Sequence, residues 1–226
     1  MSTLLITATA LEAAPLKALP WRARPFPLGE LYALPGGLYL AHLGVAKVNT
    51  AAGLALALQQ LAPEAVVQFG VGGAFAASGL PLGGVAVASG EVHMDTGVQL
   101  ERGWQDMEAL GFPLLPGPPP RFNHFPTDLA LSAALAEAAR APRVLFGTSE
   151  CVTGSFGAAA RLYARFGAAI ESMEGAAAAQ VCAALKVPFA EVRGVSNRVG
   201  ERDKARWDLP GAVRAVNAAL KAFLDL

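Results

Sequence analysis

Charge is scarce in this chain and evenly balanced. Only 16% of its 226 residues are charged, and 18 lysines and arginines are matched by 18 aspartates and glutamates, for a formal net charge of zero. The sequence has no basic run that could follow a nucleic-acid backbone and no acidic run that would form a disordered tail. A small neutral or weakly charged molecule fits this composition better than a nucleic acid does.

Thiols and imidazoles are equally few. The only cysteines are Cys151 and Cys182, and the three histidines, His42, His93 and His124, stand at no metal-ligand spacing. Two thiols in a chain of this size provide neither a disulfide framework nor a zinc site. We therefore expect no metal and no cofactor.

Long hydrophobic runs are missing as well. The apolar stretch from Val66 to Ala77 is glycine-rich and too short to span a bilayer. The first residues contain no basic segment, and Glu12 follows early, which is not typical of a signal peptide. We expect a cytoplasmic protein with no membrane partner.

What the chain has in abundance is apolar residues, 54% of the total, in short β-type runs that alternate with alanine-rich helical stretches. This alternation predicts an α/β fold of three layers (αβα), with helices on both faces of a central mixed, largely parallel, twisted sheet. We predict a single domain over residues 1–226. The predicted strands cover residues 4–10, 31–44 (two strands), 65–73, 83–92, 143–149, 168–172 and 189–196, and the predicted helices residues 48–62, 129–140, 155–167, 173–185 and 210–224.

One segment breaks the alternation. Residues 104–127 include the proline-rich run PLLPGPPPRFNHFP. Proline lacks a backbone N–H and is excluded from helix interiors and central strands. We predict a long surface loop here and regard it as a candidate lid over the site.

Two acidic residues lie close to predicted strand ends, where parallel sheets bind their ligands. Glu12 follows the first strand, and a carboxylate there can take a proton from water as a general base. Glu174 opens an alanine-rich helix, and its carboxylate can accept hydrogen bonds from the two vicinal hydroxyls of a ribose. Ordinary first-turn helix residues are the alternative for both.

Asn197 ends the strand that precedes the last loop. Its side-chain carbonyl can accept N7–H of a 6-oxopurine while its amide donates to O6. An acidic side chain at this position would favour an adenine leaving group, so the asparagine favours a hypoxanthine-like one. An Asx-turn or a helix N-cap is the alternative role.

A glycine-rich turn, FGVGGAF, spans residues 69–75 and contains Gly72. Such turns can cradle a phosphate, but this one lacks the third glycine of the dinucleotide fingerprint. A tight turn where the backbone passes close to a helix is the alternative. A nicotinamide-dependent oxidoreductase has only this weak motif in its favour.

A dense group of charges follows Asn197 and includes Arg198, Arg202 and Lys204. Such a group is often a solvated loop. It could also bind a ligand carboxylate, because arginine matches a carboxylate with two parallel hydrogen bonds. The sequence alone leaves both readings open.

Taken together, these segments resemble the nucleosidase branch of the purine nucleoside phosphorylase superfamily. The resemblance covers nearly the whole chain and rests on TATALEAAPL, LGVAKVNTAAGLALAL, FGVGGAF, HMDTGV, FGTSECVTGS, SMEGAAAAQVC and VRGVSNRVG. It implies that Glu12 activates the attacking water and that Met173 and Glu174 bind the ribose. The purine pocket that it implies contains Gly72, Cys151, Val152, Ser196 and Asn197.

The chain departs from the adenine-specific members at one position. Their strand ends in Ser-Asp and the aspartate protonates the leaving purine, whereas Asn197 cannot donate that proton. The loop SNRVGERDKARWDL is similar to that of the futalosine hydrolases of the menaquinone pathway. This implies hydrolysis of futalosine to hypoxanthine and dehypoxanthine futalosine, with the 3-carboxyphenyl group of the substrate near Arg198, Arg202 or Lys204.

Several alternatives remain. A methylthioadenosine/S-adenosylhomocysteine nucleosidase would release adenine. A purine nucleoside phosphorylase would require phosphate, an anion that Glu12 would repel. A nucleoside-binding module without catalysis would release no base. Members of the resembled family are usually dimeric or larger, so we expect a homodimer or a higher homo-oligomer.

Overall fold

The computed structural model describes residues 2–16 and 18–226, and most of its strands join one ten-stranded sheet. The strands are β1 (Thr3–Thr7), β2 (Arg22–Arg24), β3 (Glu30–Leu34), β4 (Leu38–His42), β5 (Ala65–Ala74), β6 (Val85–His93), β7 (Gly97–Gln99), β8 (Trp104–Asp106), β9 (His124–Pro126), β10 (Arg143–Thr148), β11 (Ile170–Ser172) and β12 (Phe189–Arg198). The helices are α1 (Lys47–Leu61), α2 (Met107–Leu110), α3 (Leu129–Ala139), α4 (Phe156–Phe166), α5 (Gly175–Leu185) and α6 (Leu209–Leu224).

The large sheet is mixed, as predicted. Its order is β11-β10-β6-β12-β5-β1-β4-β3-β2, with β9 paired to β6. Strands β4, β1, β5 and β12 run parallel to one another, and so do β6, β10 and β11. The two parallel blocks meet where β12 and β6 pair antiparallel. The parallel block around β5 brings several carboxyl strand ends to one edge of the sheet.

Helices cover both faces of the sheet, which confirms the predicted α/β class. Successive side chains of a strand point to opposite faces. Leu5 of β1 accordingly packs in a cluster with α3 and α6 residues, whereas Leu4 and Ile6 pack in a cluster with α1 and α5 residues. None of the helices in the described part of the chain is long and apolar enough to cross a membrane.

The proline-rich segment is more ordered than the sequence predicts. Residues 104–127 contain β8, the one-turn helix α2 and β9, elements that the sequence did not indicate within the predicted surface loop. Phe125 is fully buried, and β9 pairs with β6 alone, which tolerates Pro126 at its end. Apart from Pro126, the last residue of β9, the prolines of the run lie between these elements and not inside them. The lid function stays a prediction.

Candidate active site

A cavity of about 250 Å³ lies beyond the carboxyl ends of β1, β5 and β12. This is where an α/β sheet places its ligand sites. Eight of the eleven residues predicted from the sequence line it: Gly72, Val152, Met173, Glu174, Glu12, Ser196, Asn197 and Arg202.

Glu12 is buried and held in one orientation by its neighbours. Its Oε2 accepts hydrogen bonds from Thr7 Oγ1 at 2.8 Å, from Thr9 N at 3.0 Å and from Thr9 Oγ1 at 3.1 Å. Among the described residues, its Oε1 accepts a single hydrogen bond, from Val71 N at 3.0 Å. Oε1 is therefore the oxygen with spare capacity to accept a proton from water.

Glu174 is buried at the N-cap of α5, yet its side chain does not cap that helix. Oε1 instead accepts a hydrogen bond from Ala46 N at 3.0 Å, and Oε2 accepts one from Arg193 Nη2 at 3.1 Å. The Glu174 carboxylate lines the cavity because it does not bind the first N–H groups of α5, which have other partners. Met173 lines the cavity beside it.

Arg193 is the functional residue that sequence reasoning missed. It is only 1% exposed, and arginine is almost never this buried unless it is paired. Nε donates to Glu191 at 2.6 Å and Nη2 donates to Glu174. Nη1 donates to the Val71 carbonyl at 3.0 Å and lies 3.9 Å from Glu12 Oε1. The guanidinium thus joins the two predicted site carboxylates. The charged pair within the apolar strand FAEVRGVS was the available signal.

Strand β5 forms the floor of the cavity and has few side chains there. A Cβ on Gly70 would lie 2.7 Å from Arg193 Nη1 and would collide with the Glu12 carboxylate. A Cβ on Gly73 would lie 3.1 Å from Asn197 Nδ2. Residues along a strand are about 3.3 Å apart, so the Glu12 end and the Asn197 end of the cavity are separated by roughly 10 Å along β5.

At the Asn197 end of the cavity, the Asn197 side-chain amide has one N–H group and one lone pair that no described residue engages. Its Oδ1 accepts a hydrogen bond from Ser196 Oγ at 2.8 Å, and its Nδ2 donates to the Arg198 carbonyl at 2.9 Å. An asparagine side chain offers two N–H groups and two lone pairs. The amide is therefore fixed by its neighbours and can still read a ligand that has both a donor and an acceptor.

Glu171 is a second cavity-lining residue that was not predicted. In the strand register, Glu171 and Asn197 both stand opposite Gly73, one on each side. Thr153 Oγ1 and Thr153 N donate hydrogen bonds to its carboxylate. Burial raises the pKa of Glu171, while the Thr153 hydrogen bonds and the charge of Arg202 oppose that rise.

Three predicted residues lie outside the cavity lining. The side chain of Cys151 is exposed, and only its backbone carbonyl is engaged, by Ser149 Oγ at 2.9 Å. Arg198 Nη1 donates to the Leu80 carbonyl. Lys204 is exposed at the start of a short 3-10 helix. Of the basic residues in this loop, Arg202 lines the cavity, with its guanidinium 5.5 Å from the centre of the Trp207 ring.

Comparison with known proteins gives the class. A family model described as the phosphorylase superfamily matches residues 4–225. The 5'-methylthioadenosine/S-adenosylhomocysteine nucleosidase of Neisseria meningitidis superposes with a TM-score of 0.84 at 25% identity, covering 99% of this chain and 98% of that one. A futalosine hydrolase mutant of Helicobacter pylori shares the fold, with a TM-score of 0.84 at 20% identity over 100% and 99% of the two chains. The chain belongs to the phosphorylase superfamily.

Sequence relatives narrow this class. The chain is 34% identical to a futalosine hydrolase of Thermus thermophilus over 221 residues, which are 97% of this chain and 91% of that protein. It is 37% identical to a futalosine hydrolase of Streptomyces coelicolor over 196 residues, which are 84% and 80% of the two. Within the superfamily, it groups with the futalosine hydrolases.

Proposed function

We propose that this protein hydrolyses the N-glycosidic bond of futalosine and releases hypoxanthine and dehypoxanthine futalosine, a step of menaquinone biosynthesis. The observation that carries the proposal is one cavity with the Glu12–Arg193–Glu174 cluster at one end and Asn197 at the other. The likeness to two futalosine hydrolases at 34% and 37% identity supports it.

In this reaction Glu12 acts as the general base. Its Oε1 takes a proton from a water molecule whose oxygen attacks the anomeric carbon. The bond from that carbon to the purine nitrogen breaks, and its electron pair goes to the leaving hypoxanthine, which takes up a proton from solvent. Glu12 then returns the proton of the attacking water to solvent. Bond breaking runs ahead of attack, so the transition state is oxocarbenium-like, as in glycoside hydrolysis.

The charges of the cluster fit such a transition state. Arg193 is shared by three carboxyl groups, those of Glu12, Glu174 and Glu191. An excess of negative charge stabilises the positive charge that develops on the sugar, and it repels a phosphate ion. Glu174 would hold the ribose hydroxyls beside Met173. This electrostatic argument favours water over phosphate as the nucleophile.

Asn197 and Glu171 would read the base from opposite sides of Gly73. Hypoxanthine presents O6 as an acceptor and N1–H as a donor, and it presents N7–H as well once it is protonated. The Asn197 amide N–H donates to O6 and its side-chain carbonyl accepts N7–H, while the Glu171 carboxylate accepts the hydrogen bond from N1–H. Adenine has an acceptor at N1, which a carboxylate repels. Gly72, Val152 and Ser196 would complete the pocket, with Cys151 beside it through its backbone.

Arg202 would bind the carboxylate of the substrate, because among Arg198, Arg202 and Lys204 it lines the cavity. A homodimer is part of the proposal, supported by exposed apolar residues of the cavity lining: Leu11 is 58% exposed and Val45 44%. A cytoplasmic location is proposed from the composition and from the class of enzyme.

A methylthioadenosine/S-adenosylhomocysteine nucleosidase is the second candidate. It is favoured by 28% identity to such an enzyme of Bacillus thuringiensis over 193 residues, which are 81% of this chain. The deciding experiment incubates the protein with futalosine, inosine and methylthioadenosine in phosphate-free buffer and identifies the released base. Hypoxanthine from futalosine supports the proposal. Adenine release alone supports the second candidate, and turnover only after phosphate is added indicates a phosphorylase.

A further inference from the structure

Two fully buried carboxyl groups lie behind the active-site cluster and are not among the residues that line the cavity. Glu91 of β6 and Glu191 of β12 are both 0% exposed. They meet below the first residue of α5, because a Cβ on Gly175 would lie 2.6 Å from Glu91 Oε1 and would collide with Glu191 Oε2. Gly175 is thus the residue that makes room for the pair.

The two facing oxygens have only each other to bind. Glu91 Oε1 and Glu191 Oε2 accept no hydrogen bond from a donor group in the described part of the chain. Two ionised carboxylates in contact would repel each other strongly in a dry interior, and unpaired buried acceptors are costly. A single proton between the two oxygens relieves both the repulsion and the missing hydrogen bond, because it neutralises one carboxylate and supplies an O–H donor.

The neighbours decide which residue holds the proton. Glu191 Oε1 accepts a hydrogen bond from Arg193 Nε at 2.6 Å, and this ion pair favours the charge on Glu191. Glu91 has only the Thr148 hydroxyl, whose Oγ1 donates to Oε2 at 2.8 Å. Burial and the charge of Glu191 raise the pKa of Glu91 well above its ordinary range. Glu91 is therefore the protonated partner.

We propose that Glu91 and Glu191 form a singly protonated carboxyl pair that positions Arg193, and through it Glu12 and Glu174, for cleavage of the glycosidic bond. This role rests on the proposed function of the site. The pair fixes Nε of the guanidinium from behind, while Nη1 and Nη2 face the two reacting-side carboxylates. Glu91 and Glu191 are positioning residues, because they act through Arg193.

The pair carries one negative charge, and the proposal requires that charge. With both members neutral, Arg193 would lose its shortest ion pair, and only the hydrogen bonds of Nη1 to Val71 and of Nη2 to Glu174 would hold the guanidinium. With both members ionised, repulsion would separate them and displace Glu191 from Nε. Only the form with one proton holds the guanidinium at the distances observed.

Substitutions at position 91 separate this role from a purely structural one. Glu91→Gln is isosteric, neutral and still a donor, so it imitates the protonated acid, whereas Glu91→Leu removes the hydrogen bond. We expect Glu91→Leu to lower kcat for base release by about 10- to 100-fold, the usual effect of losing a supporting hydrogen bond. We expect Glu91→Gln to recover most of that loss, and KM to change less than kcat in both.

The double variant Glu91→Gln/Glu191→Gln tests the charge. It keeps both volumes and removes the negative charge, so kcat should fall to the level of Glu91→Leu. Glu137→Gln, on an exposed position of α3, is the control for a surface carboxyl and should leave kcat unchanged. Thermal unfolding and circular dichroism establish that each variant is folded before kinetics are compared.

Two results would overturn the proposal. One is a Glu91→Gln variant that is folded and as slow as Glu91→Leu, and the other is a double variant as fast as Glu91→Gln. Wild-type protein is assayed in parallel with futalosine and methylthioadenosine. If the wild type releases only adenine, the substrate assignment fails while the pair is still tested on that reaction, so the two failures are distinguishable.

Discussion

The side-chain amide of Asn217 in the last helix donates a 2.7 Å hydrogen bond to the backbone carbonyl of Glu12. A second N–H of the same amide donates to the Val213 carbonyl at 2.8 Å. Asn217 is only 1% exposed. The C-terminal helix thus holds the backbone of the proposed general base in place from the opposite end of the chain.

This contact predicts that Asn217→Val both destabilises the protein and slows it. The substitution leaves the buried Glu12 carbonyl without its donor, and an unsatisfied buried group costs about 1–3 kcal/mol. Urea unfolding measures the loss, and kcat should fall with it. Gln59→Ala, at an exposed position of α1, should stay within about 0.5 kcal/mol. Equal unfolding free energies for Asn217→Val and wild type would contradict the expectation.

Removing the proposed base should affect turnover more than binding. General-base catalysis contributes about 10²–10⁴-fold, so Glu12→Gln is expected to lower kcat by that factor while KM changes little. Steady-state kinetics of hypoxanthine release provide both constants. A near-normal kcat in a folded Glu12→Gln protein would assign the base to another residue.

Loss of the Arg193 charge should strongly lower the free energy of unfolding. Arg193→Met keeps most of the side-chain volume but leaves Glu174 and Glu191 as unpaired buried carboxylates, which typically costs about 3–5 kcal/mol. The matched control is Arg206→Met, because the Arg206 side chain is 72% exposed and pairs with Glu201 at 3.3 Å. A surface pair of this kind is worth about 0–1 kcal/mol. Similar unfolding free energies for the two variants would show that loss of the Arg193 charge does not destabilise the buried cluster.

Base preference is expected to depend on two side chains. Asn197→Asp places a carboxylate opposite O6 of hypoxanthine, so cleavage of futalosine should weaken while adenine nucleosides gain activity. Glu171→Leu removes the acceptor for N1–H, and the KM for futalosine should rise by about 10-fold or more, since a lost hydrogen bond to a charged group is worth about 1.5–3 kcal/mol. The assay is kcat/KM for futalosine and methylthioadenosine in parallel. Unchanged ratios would remove both residues from the purine pocket.

Acid should destabilise the fold through His93. Burial, aided by the positive charge of Lys47, lowers the pKa of His93 to about 4. The unfolded chain then binds more protons than the folded one between about pH 6.5 and 4, so stability is present above that window and is lost as pH falls through it. At about pH 5 the loss should reach about 2 kcal/mol relative to pH 7. A His93→Gln variant should lack this component in urea unfolding; an unchanged pH dependence would exclude it.

The sequence predicted the fold class from local patterns, and it predicted eight of the nineteen cavity-lining residues from strand ends and from the family resemblance. Runs of alternating strands and helices fix the layers, and residues at strand ends converge by topology, as Glu12 and Asn197 do. Arg193 was missed because two of its three carboxylate partners, Glu12 and Glu174, lie on other parts of the chain. The pairing with Glu191, two residues away, does not by itself show that the arginine reaches the cavity.

Two other misses have equally specific causes. Cys151 and Val152 are neighbours, yet only Val152 lines the cavity, because consecutive residues after β10 point in different directions and spacing cannot show which one turns inward. In the proline-rich segment, the composition correctly predicted the turns but gave no indication of strand β9. The pairing of β9 with β6 buries Phe125, a contact between distant parts of the chain.

The scarcity of side chains on β5 at the cavity has a consequence for how the substrate preference of such an enzyme can change. The strand supplies mainly backbone where the ligand would lie, and Val71 is the non-glycine residue among its cavity-lining positions, so it offers little side chain through which substrate preference could be altered. In a library randomised at Gly70 and Gly73, selection for activity should return glycine. Diversity should instead accumulate on the flanking strands, at Glu171 and Asn197. Under the proposed function, base preference could therefore change at Glu171 and Asn197 while the Glu12 end of the cavity stays the same.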